Sequence, residues 1–339
     1  IYSLGRKSRN IIETARNQVA NSISARPDQI IFTSGGTESN NQVFWSLING
    51  GRKHVVSNVI EHPAVLNVLN FLNKFGLKHN LVNVDTDGIV SIDEIKNAIS
   101  SETSLISLML ANNEIGTLQP VKEIVEIAKK KGILVHTDAV QCLGKFNLDV
   151  TELGVDFLSL SAHKFYGPKG IGALYVKEPN TLPSLIIGGN QEKNHRAGTE
   201  NISAIAGMGL AAENSIKSLN KKVNALIDLE EQFKKGLNKF YKTAILNGNQ
   251  SQKLPGLISI SFPKTRSDIL MKKLDREGIS VSNGSACGSG DIKPSPVLSA
   301  IGLDDPTNLS TIRFSFGSSN TSNQISYLLH KLESILLKS

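Results

Sequence analysis

Cysteine is scarce in this chain: its 339 residues include two, Cys142 and Cys287. Two thiols cannot build a disulfide framework, so a reducing, cytoplasmic setting is the simpler expectation. Long apolar runs are missing as well. None approaches the roughly 18 residues that a membrane-spanning helix needs, so no helical span is expected. Aromatic residues make up 5% of the chain, and none is interleaved with the lysine runs at 129–131, 221–222, 234–235 and 272–273. The formal charge of +7 is therefore read as solvated helix faces and not as a nucleic-acid surface. A general pull on an acidic protein or on tRNA is the most that the charge supports.

What is present describes an ordinary globular protein, with 40% hydrophobic and 20% charged residues. The length suits one large domain and a smaller one, which we expect over 1–218 and 219–339. Near the start, Arg6, Lys7, Arg9 and Arg16 face one acid, Glu13, a balance that could pass for an organelle transit segment. However, Leu4, Ile11, Ile12, Ala15, Val19 and Ile23 fall largely on one helical face leading into the strand Ile30-Ile31-Phe32. A structural helix is the better reading.

Strands and helices then alternate. Ile30 to Thr33 is a buried-strand run, and Ser34-Gly35-Gly36-Thr37-Glu38-Ser39 follows it before an apolar helix. Strand, glycine turn and helix start make an anion site, with Thr37 or Ser39 as the helix cap; plain capping would use the same residues. Lys53 to Ser57 is a second strand, after which come Glu61-His62-Pro63 and a helix. A lone histidine there is more often structural than catalytic. Ser104 to Leu110 reads as a nearly continuous apolar strand ending at Asn112-Asn113-Glu114. Val121 to Lys131 is an amphipathic helix capped by Gly132, and the strand Ile133 to Thr137 ends at Asp138 and Gln141. Finally, Phe157-Leu158-Ser159-Leu160 delivers Ser161, His163 and Lys164 into a turn with Gly167, Pro168 and Gly170.

This alternation predicts an α/β fold with a mainly parallel sheet covered on both faces. Ligands of such sheets collect beyond the carboxyl ends of the strands, which is where Thr37, His62, Asn113, Asp138 and Lys164 all fall. A lysine after a strand is usually a solvated surface residue. Its company changes the reading. An aldehyde cofactor held as a Schiff base needs a lysine, and a pyridinium electron sink needs a carboxylate at its ring nitrogen. Lys164 and Asp138 meet those demands, one strand-to-strand crossover apart. The cofactor's phosphate would lie on Gly35-Gly36-Thr37, with Ser161 adding a hydroxyl.

The runs at 161–170 and 136–141 resemble the pyridoxal-phosphate site of fold-type I enzymes of the class V aminotransferase group. Ser34 to Asn41, Glu61 to Val65, Asn112 to Gly116, Arg196 to Asn201 and Gly284-Ser285-Ala286-Cys287 resemble the NifS/IscS-type cysteine desulfurases, over essentially the whole chain and in order. The resemblance implies a seven-stranded-type sheet in the large domain and a smaller C-terminal α+β domain. Lys164 would carry pyridoxal 5'-phosphate and Asp138 pair with its ring nitrogen. Gln141 and Asn113 would bond the ring hydroxyl, and His62 would stack on the ring and move protons. Thr37, Ser161, His163 and the Gly36 amide would hold the phosphate, Thr199 reaching that of a neighbouring subunit in a homodimer. No metal site is expected. The family's usual N-terminal segment, which helps to line the substrate pocket, is expected to be absent from this sequence, which starts at Ile1 within the region of the first long helix.

In the smaller domain, Leu257 to Phe262 and Thr311 to Gly317 read as strands and Ser267 to Arg276 as a helix, after long amphipathic patterns over 202–240. The glycine- and serine-rich stretch 280–292 holds Cys287, a poor core residue and a plausible nucleophile. Arg313, by itself a candidate salt bridge, would by resemblance grip the substrate α-carboxylate, with Asn113 beside it in substrate binding. Cys142 is assigned to packing. The implied activity converts L-cysteine to L-alanine and passes sulfur, as a persulfide on Cys287, to an iron–sulfur scaffold or a tRNA-thiolation relay. The alternatives are a selenocysteine lyase or a class V aminotransferase on the same scaffold, and, from another class, a non-catalytic scaffold or RNA-binding relative. Gly288 stands where relatives usually have Thr.

Overall fold

The computed structural model describes residues 2–284 and 293–337, and the chain divides into two compact units. The first comprises residues 1–83, 90–111 and 119–219; the second gathers 84–89, 112–118 and 220–339.

In the first unit a seven-stranded sheet is built from β1 (Ile30–Thr33), β2 (His54–Asn58), β3 (Lys78–Val82), β4 (Thr103–Ser107), β5 (Leu134–Asp138), β6 (Phe157–Ser161) and β7 (Gly172–Val176), in the order β1-β7-β6-β5-β4-β2-β3. The pairs β2–β3, β2–β4, β4–β5 and β5–β6 are parallel, and β7 runs antiparallel to β1 and β6. The expected α/β, mainly parallel sheet is present. Its central strands are buried along their length because helices cover both faces, which is why they read as continuous apolar runs.

Around the sheet run α1 (Ser3–Ser22), α2 (Gly36–Asn49), α3 (Pro63–Leu72), α4 (Ile92–Ala98), α5 (Val121–Lys130), α6 (Val150–Leu153) and α7 (Ile202–Ile216). Phe44 and Leu47 of α2 and Val65 and Leu69 of α3 pack on Ile31, Val55 and Leu174 of the sheet. On α1 the expected apolar face is narrower than the pattern suggests. Ile12, Ala15 and Val19 are buried, but Leu4 and Ile11 are exposed. Gly209 of α7 lies so close to Ala15 that an added Cβ would stand 2.6 Å from the Ala15 Cα, so this helix pair requires a glycine there.

The strand expected over Ser104 to Leu110 stops at Ser107. Leu108 and Leu110 still donate to the β5 carbonyls of His136 and Asp138, at 3.1 and 2.9 Å. The Met109 N–H instead donates to a side chain, Glu61 Oε1, at 2.6 Å. A side-chain carboxyl oxygen has taken the place of the ladder partner, and regular pairing ends there.

In the second unit β8 (Ile245–Asn247), β9 (Leu257–Ser261) and β10 (Thr311–Ser315) form an antiparallel sheet in the order β10-β9-β8. Helices α8 (Leu219–Phe240), α9 (Ser267–Arg276), α10 (Pro296–Ala300), α11 (Asp305–Asn308) and α12 (Ser322–Leu337) accompany it. Phe233, Phe262 and Phe314 lie at its core with Leu270 and Leu332, and the Phe233 and Phe314 rings are 4.9 Å apart. No helix among the described residues is long and apolar enough to cross a membrane.

Candidate active site

In the first unit the predicted site residues gather beyond the carboxyl ends of β1, β2, β5 and β6. Asp138 closes β5 and is 8% exposed. Its Oδ2 accepts from Asn40 Nδ2 at 2.8 Å and its Oδ1 from the Val140 N–H at 3.0 Å. Burial raises the pKa of this carboxyl; the two hydrogen bonds and the charges of His62 and Lys164 oppose the rise. Asp138, His62 and Lys164 thus form one electrostatic cluster, drawn from three strand ends.

Lys164 follows β6 in a short helical turn (Ala162–Phe165) and is exposed. The turn closes on Tyr166, at φ 67°. His62 caps α3, its Nδ1 accepting the Ala64 N–H at 3.1 Å, so the neutral ring carries its proton on Nε2. Desolvation lowers its pKa, with Asp138 pulling upward and Lys164 downward. Gln141 is half-buried just after β5.

The glycine turn departs from expectation in one respect. Neither Thr37 nor Ser39 caps α2; the cap position is Gly35, at φ 156° and ψ −179°, a conformation essentially confined to glycine. Ser39 Oγ lies instead 2.8 Å from Thr33 Oγ1, and Thr37 is exposed. Among the described residues no side chain caps the first turn of α2, so its N–H groups are offered to a ligand. Ser161 lies beside this turn, its Oγ 3.6 Å from where a Gly35 Cβ would stand and 3.0 Å from His163 Nδ1. Burial, then Lys164 and Lys169, lower the pKa of His163. An added Cβ on Gly36 would stand 2.6 Å from Val140 Cγ2, so glycine keeps that cradle open.

These features fit a phosphorylated pyridine aldehyde. They supply an uncapped helix start with a hydroxyl and an imidazole for the phosphate, a buried carboxylate for a cationic ring nitrogen, and an accessible amine.

Thr199 is exposed and borders a cavity of about 200 Å3 together with Ser34, Gly170, Glu192, Arg196 and Asn201. Arg196 is paired with Glu38 at 2.9 Å, which joins that segment to α2. Cys142 is fully buried, and burial pushes its thiol far above the ordinary range, as packing predicts.

Two residues here escaped the sequence reading. Asn40 holds Asp138. Glu61, 3% exposed, accepts from Asn58 Nδ2 at 2.8 Å and from the Met109 N–H. Burial pushes its pKa well up against the Met109 bond, the Asp138 charge adds to the rise, and its Oε2 has no hydrogen-bond partner among the described residues. Both lie inside motifs singled out for their neighbours, and nothing local marks them as partners of a strand end.

In the second unit, Arg313 sits in the middle of β10 and donates from Nη1 to the Asn113 carbonyl at 2.8 Å. Its Nε is buried with no hydrogen-bond partner among the described residues. Asn113 is thus placed with Arg313. Cys287 and most of the loop expected over 280–292 lie outside the described residues.

Similarity to known proteins agrees with this arrangement. Residues 1–328 match the family "Aminotransferase class-V", and the chain belongs to that family, whose members are fold-type I enzymes using pyridoxal phosphate. The chain is 45% identical over 342 residues to "Cysteine desulfurase IscS" of Dictyoglomus turgidum, covering 100% of this chain and 86% of the relative. It is 41% identical over 341 residues to the protein of that name from Clostridium botulinum, covering 99% and 86%. A solved structure described as "NIFS-LIKE PROTEIN" superposes with a TM-score of 0.93 at 35% identity, covering 100% of this chain and 90% of the other. Within the class V family, the chain is a member of the NifS/IscS-type cysteine desulfurases.

Proposed function

We propose that this protein converts L-cysteine to L-alanine and holds the released sulfur as a persulfide on Cys287. The observation that carries the reading is the buried Asp138 carboxylate, opposed by the charges of His62 and Lys164 beside the uncapped start of α2. When bound, pyridoxal phosphate would supply an electron sink for the charge left at the substrate Cα.

The chain's own residues do the rest. Asp138 would keep the ring nitrogen protonated, and Gln141 and Asn113 would bond the ring hydroxyl. The Gly36 amide, Thr37, Ser161 and His163 would take the phosphate. Lys164 would hold the cofactor's aldehyde carbon and supply the amine that takes the Cα proton. His62, protonated on Nε2 and supported at Nδ1, would stack on the ring and pass protons. Arg313 receives the substrate carboxylate in the two-pronged manner a guanidinium allows. The thiolate of Cys287 attacks the substrate sulfur; the S–S bond forms as the C–S bond breaks, and the carbon left behind takes a proton to give alanine.

The same reading makes the protein a homodimer, with Thr199 reaching the neighbour's phosphate; its exposure supports this. The persulfide is handed to an acceptor protein such as an iron–sulfur scaffold or a tRNA-thiolation relay. A reducing cytoplasm suits the free, buried thiol of Cys142.

The test is mass measurement of the Cys287 peptide after exposure to L-cysteine, with Cys287→Ser beside it. One added sulfur atom in the native protein and loss of alanine formation in the variant are expected. Full alanine production by Cys287→Ser would overturn the persulfide route.

A further inference from the structure

Within the second unit Glu114 is bonded to Ser295, approached closely by Gly284 and influenced by the charge of Arg313. It lies in a turn fixed by Asn112 Oδ1, which accepts the N–H groups of Glu114 and Ile115 at 2.8 and 3.0 Å. Its Oε2 accepts from Ser295 Oγ at 2.6 Å, and that same Oγ caps α10 by accepting from Val297 and Leu298. Gly284 comes so close that an added Cβ would collide with Glu114 Oε2. The chain leading to Gly284 is held on β10 at Arg313 itself: the Arg313 N–H donates to the Ser282 carbonyl at 2.6 Å and the Ser282 N–H donates back at 3.2 Å. Among the described residues, Arg313 is the charged group acting on Glu114, while Ser295 and Gly284, which also pack against it, are neutral.

We propose that Glu114 is a positioning residue for substrate recognition: fastened to Ser295 and directly following Asn113, whose carbonyl accepts from Arg313 Nη1, its carboxyl group sets how strongly that arginine receives a substrate carboxylate. The proposal rests on the reading of Arg313 as the carboxylate receptor. An ionised Glu114 competes with the substrate for the charge of Arg313; a protonated one leaves that charge to the substrate. Burial raises the Glu114 carboxyl to about 7, against the pull of the Ser295 bond and of Arg313, so the two forms exchange near neutral pH. By reciprocity, a bound carboxylate favours the protonated form of Glu114, and affinity falls as pH rises through that value.

The experiment uses the holoenzyme and propionate, a carboxylate without amine or thiol, as a competitive inhibitor of L-cysteine turnover, with its inhibition constant measured from about pH 6 to about pH 8. Wild type should weaken by roughly five-fold or more across the range. Glu114→Gln, which keeps a hydrogen-bonding group for Ser295 but cannot ionise, should be flat, with KM and not kcat carrying the difference from wild type. Arg313→Gln separates the two ideas. Loss of propionate inhibition in that variant together with a flat wild-type profile, or with an unchanged transition in Glu114→Gln, overturns the role of Glu114 alone. Undiminished inhibition of Arg313→Gln overturns the reading of the arginine. Should Glu114→Gln not fold, Ser295→Ala, which removes the bond that opposes the rise of the Glu114 carboxyl, should move the wild-type transition to higher pH, and an unmoved transition overturns the role of Glu114.

Discussion

Asn40 reaches from helix α2 to the end of β5 and donates its side-chain amide to Asp138 Oδ2 across 2.8 Å, with both residues buried. Besides this bond, Asp138 accepts one backbone N–H, from Val140. A hydrogen bond to a buried charged group is worth about 1.5–3 kcal/mol. Asn40→Ala should therefore bind pyridoxal phosphate about ten-fold or more weakly, and Asn40→Asp should do worse, because two adjacent carboxyls cannot both ionise. Equilibrium dialysis and the visible absorbance of the bound cofactor measure this; wild-type affinity in both variants would remove Asn40 from any positioning role.

This pair also marks where sequence reading stops. The helix expected over Ser267 to Arg276 is found at those bounds, since its apolar spacing is local. The rim residues of the first unit were legible for a similar reason: Asp138 closes an apolar strand, and Thr37, His62 and Lys164 lie shortly after such strands. Asn113, expected on the same rim, falls instead in the second unit with Arg313. Asn40 and Asp138, however, are 98 positions apart, and Glu61 and Met109 are 48 apart. Such pairings exist once strands have been ordered into a sheet, and no periodicity in the chain encodes them. The exposure of Leu4 and Ile11 makes the converse point: helical spacing fixes a face, while what packs against α1 decides how much of it is buried.

Gly36 tests the phosphate cradle. A methyl group there would press on Val140 Cγ2 at 2.6 Å, and relief of the clash must move either Val140 or the start of α2. Crowding of this kind typically costs about 1–3 kcal/mol. Gly36→Ala should thus retain the cofactor about ten-fold less well, and Gly36→Ala combined with Val140→Ala should regain much of that loss. If the double variant is no better than the single one, the contact with Val140 is not what glycine avoids.

His136 predicts acid sensitivity of the fold. It is fully buried, with Nδ1 2.8 Å from Ser107 Oγ and Nε2 3.1 Å from Ser159 Oγ, a setting for a neutral ring. Burial lowers its pKa from 6.5 to about 3. Between those values the unfolded chain binds a proton that the folded chain refuses, so this contribution is complete above 6.5 and is lost as pH falls toward 3. At about pH 5 the loss is about 2 kcal/mol. Urea unfolding at about pH 7.5 and about pH 5 should show wild type losing more stability than His136→Gln by that amount. Equal losses would show that the imidazole does not govern the response.

The Arg16–Glu192 pair offers the sharpest stability test. The two side chains are 6% and 4% exposed and meet through two bonds of 2.7 Å. Arg16 also donates to the Ile30 carbonyl at 2.8 Å and lies over the Phe32 ring, while Glu192 accepts the Phe32 N–H at 2.9 Å. Glu192, Lys193 and Asn194 all hold positive φ, at 46°, 55° and 71°, an unfavourable run for residues with side chains. The buried pair fastens this run to α1 and β1. Removing one partner strands a buried charge and typically costs about 3–5 kcal/mol, whereas replacing both with apolar groups can be nearly neutral. Arg16→Met and Glu192→Leu should each lower the urea midpoint strongly, and the double variant should be more stable than either single one. Additive losses in the double variant would mean that the two residues act independently. In that case the positive-φ run is held by some other part of the segment, and the exposure of Thr199 should survive the loss of Glu192, as limited proteolysis across 190–201 would report.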